Sequence, residues 1–222
     1  MIIKPNLNQA EIKENYKDFL KLITTLFKGD RQEKLLKMYS VDELGNFLTY
    51  SPASTSVHFH SCWEGGYIQH IFNVFKAAVL EKELYTKIGC NIDFTDEEMS
   101  FVALQHNLGK LGDKEFGVYY VTTESWKQKK GELYQLNPNL PYMDVIDRTL
   151  LLLNKYGITM TWREFLGIKL SDGVFDEGAK KYYQQYNPDL YIRSNLPMLI
   201  HHAKRVSFQL EYDIWKNSKD AK

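Results

Sequence analysis

Histidine supplies most of the chemistry that this sequence could perform, and the six histidines fall in three stretches of the chain. They are His58, His60 and His70, then His106, then His201 and His202. Imidazole is a common metal ligand and a general acid or base near neutral pH. If three helices each bring an imidazole to one core, the sequence predicts a metal or phosphate pocket. The alternative is that each histidine is a separate, hydrogen-bonded core residue.

The stretch FVALQHNLGKLGD, residues 101–113, is the one that most clearly belongs to a predicted buried helix and its end. Thr95, followed three residues later by Glu98, forms a capping box that predicts the start of a helix. Gly109 is predicted to end that helix. His106 is therefore expected in its last turn, among core residues.

Hydrophobic spacing, caps and glycines predict the other elements. Further helices are expected over residues 9–28, 31–38, 40–48, 66–87, 143–156, 161–170 and 196–215. The third of these relies on a capping box of Ser40 and Glu43, and the sixth on one of Thr161 and Glu164. Residues 114–140 predict a small β-hairpin or an ordered loop. The sequence thus predicts an all-α fold, with residues 1–49 as an N-terminal helical extension and 50–222 as the main domain.

The stretch YSPASTSVHFHSCWEGG, residues 50–66, is predicted to be a loop. A loop of about seventeen residues within a compact domain is usually functional or disordered. The two histidines, the tryptophan and the glutamate in this loop argue for a functional segment.

Composition excludes several classes of protein. Lys and Arg number 28 and Asp and Glu also 28, which argues against binding nucleic acid by bulk charge. No apolar run is long enough for a transmembrane helix, and the N-terminus lacks the apolar region of a signal peptide. With only two cysteines and no Cys-x-x-Cys motif, a reducing cytoplasm is expected.

Together, these segments resemble the HD-domain superfamily of metal-dependent phosphohydrolases. The resemblance covers roughly residues 50–215 and includes Gly65-Gly66-Tyr67-Ile68-Gln69-His70, Ala103-Leu104-Gln105-His106-Asn107-Leu108-Gly109-Lys110 and the closing helix from Leu196. The segment from Ser51 to Gly66 is similar to a subgroup found among bacteriophage proteins and some nucleases, which implies the host cytoplasm as the location if the protein is viral. The resemblance implies an HD-domain-like helical bundle.

The departures from this family concern its metal ligands. Active members hold the metal with a first His, a His-Asp pair and a late Asp, and some add a His before an Asp-Gly. His70 and His106 match, as candidate metal ligands. Asn107 stands in place of the paired Asp, Ser171 in place of the additional His, and Lys204 in place of the late Asp.

These replacements predict a weakened metal site. Hard divalent cations prefer anionic oxygen ligands, and Asn107 offers only a neutral oxygen. Lys204 would repel a metal, or replace it as a fixed positive charge that pairs with a phosphate or with Asp172. No cofactor is expected; a residual divalent metal would be Mn, Mg, Fe, Zn or Ni. Water is activated poorly by a loosely held cation, so loss of the family's hydrolysis is expected.

Four other residues are candidates for the pocket, each with an ordinary alternative. His60 could contact a phosphate at a helix start and Glu64 could orient it, or both could anchor the loop. Lys110 could reach a phosphate, or be a solvated helix-end cation. Asp172 is the surviving carboxylate near the pocket and, with His106, a candidate catalytic residue; an Asp-Gly turn is its alternative.

Three functions remain open from the sequence. The first is a catalytically inactive HD-like protein that binds a nucleotide, a nucleic-acid end or a protein partner. The second is an active phosphohydrolase, a nucleotide phosphatase or nuclease, with a relocated site of His60, His70, His106 and Asp172. The third is a structural or assembly protein. No membrane partner is expected.

Overall fold

The structure, a computed structural model, describes residues 4–220; the outermost residues of both predicted units, 1–3 and 221–222, lie outside this range. The α-helices are α1 (Gln9–Leu26), α2 (Gly29–Met38), α3 (Asn46–Tyr50), α4 (Gly66–Lys87), α5 (Asp96–Gln105), α6 (Ser125–Lys129), α7 (Val145–Lys155), α8 (Trp162–Lys169), α9 (Glu177–Tyr183) and α10 (Leu196–Asp220). The strands are β1 (Tyr119–Val121) and β2 (Tyr134–Leu136). The predicted all-α fold with a small hairpin is confirmed.

Helix α4 lies at the centre of the fold and packs against α10, α5, α3 and α1. Its buried residues include Ile68, Ile71 and Val74, all without exposed surface. They belong to a single hydrophobic cluster that also contains Phe19 and Ile23 of α1. The N-terminal helices therefore share the core of the rest of the chain. Within residues 4–220, no helix is long and apolar enough to cross a membrane.

Two of the three predicted capping boxes are confirmed. Thr95 and Glu98 cap α5 reciprocally, and Thr161 and Glu164 cap α8 in the same way. The box of Ser40 and Glu43 is wrong, because residues 41–45 form a π-helical turn and the Ser40 side chain makes no capping hydrogen bond.

Glu43 has long-range partners instead of a capping role. Its carboxylate accepts hydrogen bonds from Lys114 at 3.0 Å and from the Tyr156 hydroxyl at 2.8 Å. Two distant donors therefore outweigh the local cap that the spacing suggested.

The predicted helix stop at Gly109 is also wrong. Helix α5 ends at Gln105, with His106 as its C-cap, and Gly109 lies inside a following 3-10 turn, Leu108–Leu111. A Cβ on Gly109 would lie 2.1 Å from the carbonyl oxygen of Val145. The glycine is required because this turn touches the start of α7.

The loop of residues 51–65 is ordered against the hairpin. Ser56 pairs with Glu132 in an isolated antiparallel bridge, and the Val57 amide donates to the Gly131 carbonyl at 2.9 Å. At the loop's end, a Cβ on Gly66 would lie 2.1 Å from the Ser61 carbonyl oxygen. The glycine pair thus permits the loop to lie directly over the start of α4.

Candidate functional site

A buried polar centre lies between the loop, α4, the end of α5 and α10. Its side chains come from five parts of the chain: His60 and Ser61 of the loop, His70 and Asn73 of α4, His106, Asn107 and Lys110 after α5, Asp172 after α8, and Lys204, Phe208 and Glu211 of α10. Most of the residues proposed from the sequence are therefore brought together here.

Both ring nitrogens of His70 are occupied by protein groups. Nδ1 donates to Glu211 Oε1 at 2.9 Å, and Nε2 accepts from the Asn107 side-chain amide at 3.1 Å. Burial lowers the pKa of His70, although the nearby Glu211 carboxylate opposes this effect. His70 is thus held as a neutral imidazole whose outer lone pair is already used.

Lys204 fills the space beyond Asn107. Its ammonium, almost fully buried, donates to Asn107 Oδ1 at 3.3 Å and to Asp172 Oδ1. Burial alone would raise the pKa of Asp172, but the Lys204 charge and its hydrogen bond lower that pKa below its ordinary value. A continuous chain of hydrogen bonds therefore runs from Asp172 through Lys204 and Asn107 to His70.

Glu211 lies at the His70 end of this series of hydrogen bonds. It is the main residue of the centre to which the sequence assigned no role. Its buried carboxylate accepts from Ser61 Oγ at 2.6 Å and from Asn73 Nδ2 at 2.9 Å, in addition to His70. Burial raises its pKa, but these three donors together hold it below the ordinary value. Its spacing of seven residues from Lys204, on one face of a helix, is the signal that could have revealed it.

Lys110 and His60 form a second part of the centre. Lys110 Nζ donates to the Ala53 carbonyl at 2.7 Å and to His60 Nε2 at 3.0 Å. Desolvation, reinforced by Lys204, lowers the pKa of Lys110 to about 7. The His60 ring stacks on Phe208 with centroids 4.1 Å apart, and burial followed by the Lys110 charge lowers its pKa.

His106 has one nitrogen available. Nδ1 donates to the Ala103 carbonyl at 2.9 Å, whereas Nε2, although buried, has no hydrogen-bond partner among the described residues. Burial, and then the positive charge of Lys204, lower the pKa of His106. Nε2 is therefore a free acceptor. The centroid of the His106 ring lies 5.9 Å from that of the His70 ring.

Ser171, where the resemblance implies an additional histidine, is also buried, and its Oγ has no partner within the described part of the chain. Its backbone carbonyl accepts from His201 Nδ1 at 3.1 Å. His201 therefore supports the turn that carries Asp172.

Some of the candidate residues lie elsewhere. The Glu64 carboxylate is exposed and accepts from Gln9 Nε2 at 3.0 Å. His58 meets Trp215 edge-on, and His202 Nδ1 lies 3.0 Å from the Tyr85 hydroxyl. From the last helix, His201 lies beside the turn that carries Asp172, while Lys204, Phe208 and Glu211 of α10 point to the centre itself.

The donor set does not fit the divalent metal that the family resemblance implies. Among the described residues, no three His, Cys, Asp or Glu side chains are grouped so that they could hold a metal ion. The outer nitrogen of His70 is blocked by Asn107, and the ammonium of Lys204 is bonded to both Asn107 and Asp172. A cation would have to displace this ammonium and would find only one neighbouring carboxylate.

No protein-family model, curated protein or solved structure matches this chain.

Proposed function

We propose that this protein is an HD-domain-like protein that does not carry out metal-dependent hydrolysis and that binds a phosphate-bearing ligand, such as a nucleotide or a nucleic-acid end. The observation that supports this most strongly is the position of Lys204. A fixed ammonium, bonded to Asp172 and Asn107, stands where the resemblance implies a carboxylate metal ligand.

The loss of hydrolysis follows from the roles of the remaining groups. Metal-dependent hydrolysis needs a firmly held cation that lowers the pKa of a bound water molecule. Within the polar centre, the Asp172 carboxylate is engaged by Lys204, and the buried Glu211 carboxylate is engaged by three donors. Asp172 is therefore paired with a cation, and Glu211 is occupied by protein donors.

The proposal of a phosphate ligand rests on the cationic and imidazole groups. No carboxylate of the described residues forms an ion pair with Lys110, whose ammonium has only a carbonyl and an imidazole as partners. In its protonated form Lys110 has three donors, so one remains for a ligand, and a bound phosphate would favour that form. His106 Nε2 is an unused acceptor that suits the hydroxyl of a monoprotonated phosphate.

Calorimetric titration with nucleoside mono- and triphosphates and with a 5′-phosphorylated oligonucleotide tests this function. Lys110→Met should weaken binding by about tenfold to a hundredfold, because a hydrogen bond to a charged group contributes roughly 1.5–3 kcal/mol. Lys155→Met, at an exposed position on α7, is the matched control and should leave binding unchanged.

The same preparations separate the other candidate functions. Phosphatase or nuclease turnover with added Mn²⁺ or Mg²⁺ that disappears in His106→Ala would contradict the proposal and favour a relocated active site. Failure to bind any phosphate compound, together with a stable complex with another protein, would favour the assembly function instead.

A further inference from the structure

A cavity of about 440 Å³ lies between the β-hairpin, the first turn of α7 and the segment that connects them, residues 137–144. Its walls are mostly apolar and include Leu136 of β2 together with Leu140 and Met143 of the connecting segment. Small-molecule sites are commonly concave, largely apolar spaces of about 300–1,000 Å³ that contain a few polar groups. The volume and the walls of this cavity therefore suit a small ligand.

Among the described residues that line this cavity, Arg148 is the only cation. Only 7% of its surface is exposed. Its Nη2 donates to the carbonyl of Pro141, another residue of the lining, at 2.7 Å, which places the guanidinium at the cavity wall. Within residues 4–220, no carboxylate forms an ion pair with it, and this carbonyl is its one side-chain hydrogen-bond partner. A guanidinium has five N–H donors, so most of them are left for a ligand.

The surroundings of this guanidinium favour an anion. Burial lowers the pKa of Arg148, and the charge of Asp113 opposes this effect without forming an ion pair. A buried cation that lacks a paired anion is costly. The guanidinium also lies beside the first turn of α7, where the helix dipole adds positive potential and the N-cap, Asp144, makes no side-chain capping hydrogen bond. An anion in the cavity would therefore interact favourably with both the guanidinium and the helix start.

A carboxylate suits this arrangement better than a dianionic phosphate. Two N–H groups of a guanidinium match the two oxygens of a carboxylate in a forked pair. The cavity is also lined by the Asp144 carboxylate, whose Oδ1 accepts from the Tyr142 hydroxyl at 3.0 Å. This negative charge repels a dianion more strongly than a monoanion. The apolar walls, in turn, require a ligand with an apolar body.

We propose that this cavity binds a small organic monocarboxylate, whose acid group pairs with Arg148 and whose apolar body contacts Leu136, Leu140 and Met143. Within the described part of the chain, the residues that line the cavity do not include any residue of the polar centre. The inference therefore does not depend on the proposed function, and the failure of either one leaves the other standing.

Nitrogen–proton correlation spectra of the full chain, titrated with phenylpropionate, with octanoate and with the uncharged phenylpropanol, test the site. At least one acid should bind saturably and shift the amide signals of residues 136–148. Phenylpropanol should bind at least about tenfold more weakly than phenylpropionate, because it cannot form the charged pair. No saturable shift with either acid at millimolar concentration, or equal affinities for phenylpropionate and phenylpropanol, would overturn the proposal. Tighter binding of phenyl phosphate than of phenylpropionate in the same cavity would overturn the choice of a monocarboxylate.

Three variants test the role of charge in this cavity. Arg148→Lys keeps the positive charge but loses the fork, and should weaken phenylpropionate binding by about tenfold. Because this change also alters the bond to Pro141, a second test leaves Arg148 intact. Leu136 is 58% exposed, so both Leu136→Asp and Leu136→Lys should fold, as unchanged thermal melting would show.

The two Leu136 variants lose the same apolar contact and introduce opposite charges into the lining. Leu136→Asp should therefore bind phenylpropionate about tenfold more weakly than Leu136→Lys, its matched control. Equal affinities of these two variants, or an Arg148→Lys variant that binds as the wild type does, would overturn the pairing of the ligand's acid group with Arg148.

Discussion

Lys204 joins side chains from two different parts of the chain, and its burial makes this role energetically important. Only 5% of its side chain is exposed, compared with 37% for its partner Asp172. A buried ammonium is tolerated only with a charged or strongly hydrogen-bonding partner. Lys204 therefore depends on Asp172 and Asn107, and both orient it.

Removing the charge of Lys204 should reduce stability. In Lys204→Met, Asp172 loses its cation and Asn107 Oδ1 loses a donor. Breaking a fully buried pair costs roughly 3–5 kcal/mol, but hydration of Asp172 reduces this, so a loss of about 2 kcal/mol in the free energy of unfolding is expected. Urea denaturation measures it, with exposed Lys216→Met as the control. A variant as stable as the wild type would contradict the role given to Lys204.

His106 should make stability sensitive to acid. Its pKa is lowered in the folded state by burial, so below pH about 6.5 the unfolded chain binds a proton that the folded chain excludes. Stability is thus lost as the pH falls below about 6.5. The pKa values of Glu211 and Asp172 are also lowered in the folded state. The stability that these two carboxylates contribute is therefore lost only as the pH falls below their ordinary pKa values.

His106→Gln should reduce this loss. Keeping one histidine neutral at pH 5 costs at most about 2 kcal/mol, so the fall in unfolding free energy between pH 7 and pH 5 should be smaller in the variant by up to that amount. Urea denaturation at both pH values measures it. Asn154→Gln, at an exposed position on α7, is the control and should keep the pH dependence of the wild type. An equal fall in unfolding free energy in His106→Gln would refute the assignment.

Among the elements, the 3-10 turn after α5 has the tightest constraint. Gly109 touches the backbone of α7, and its amide donates to Thr149 Oγ1 at 2.8 Å. The turn also carries Lys110, so its position determines where that ammonium lies. Packing of this turn against α7 therefore helps to position the side chains of the polar centre.

Gly109→Ala should be strongly destabilising, by about 2 kcal/mol or more, because its Cβ would overlap a backbone carbonyl and force the turn away from α7. Gly178→Ala in α9 is the matched control. There a Cβ makes only ordinary contacts, the nearest at 3.4 Å, and alanine should stabilise the helix by roughly 0.5–1 kcal/mol. Thermal unfolding of both variants distinguishes them, and equal melting temperatures would contradict the packing argument.

Local signals in the sequence predicted the elements well where no distant partner competes. The cap of Thr161 and Glu164 follows from spacing alone, whereas the same spacing at Ser40 fails because Lys114 and Tyr156 engage Glu43. Such partners lie far away along the chain. They become neighbours only through the tertiary fold, which one sequence does not reveal.

The candidate site shows the same division between local and distant information. The convergence of His60, His70 and His106 was predicted, and their ring centroids do follow one another at 4.6 Å and 5.9 Å. The role of Glu211 was not predicted, because its partners come from the loop and α4. Its importance depends on a contact between α4 and α10, and helix periodicity does not specify which helices meet.

For the whole molecule, we propose an HD-like helical fold that holds an internal ion pair, Lys204 with Asp172, where the resemblance implies a metal. Reversing the three replacements should restore the ligand set that the resemblance implies. The variant Asn107→Asp/Ser171→His/Lys204→Asp removes the buried ammonium and adds two carboxylates and one imidazole. Anionic oxygen and imidazole together form the donor set that a divalent transition metal prefers.

Elemental analysis of the purified wild type beside this triple variant tests the central claim most directly. We predict that the wild type contains no stoichiometric metal, whereas the triple variant, folded by circular dichroism, binds about one or more divalent ions per chain. A wild type that already holds a stoichiometric divalent metal would contradict the role of Lys204 and the loss of metal-dependent hydrolysis.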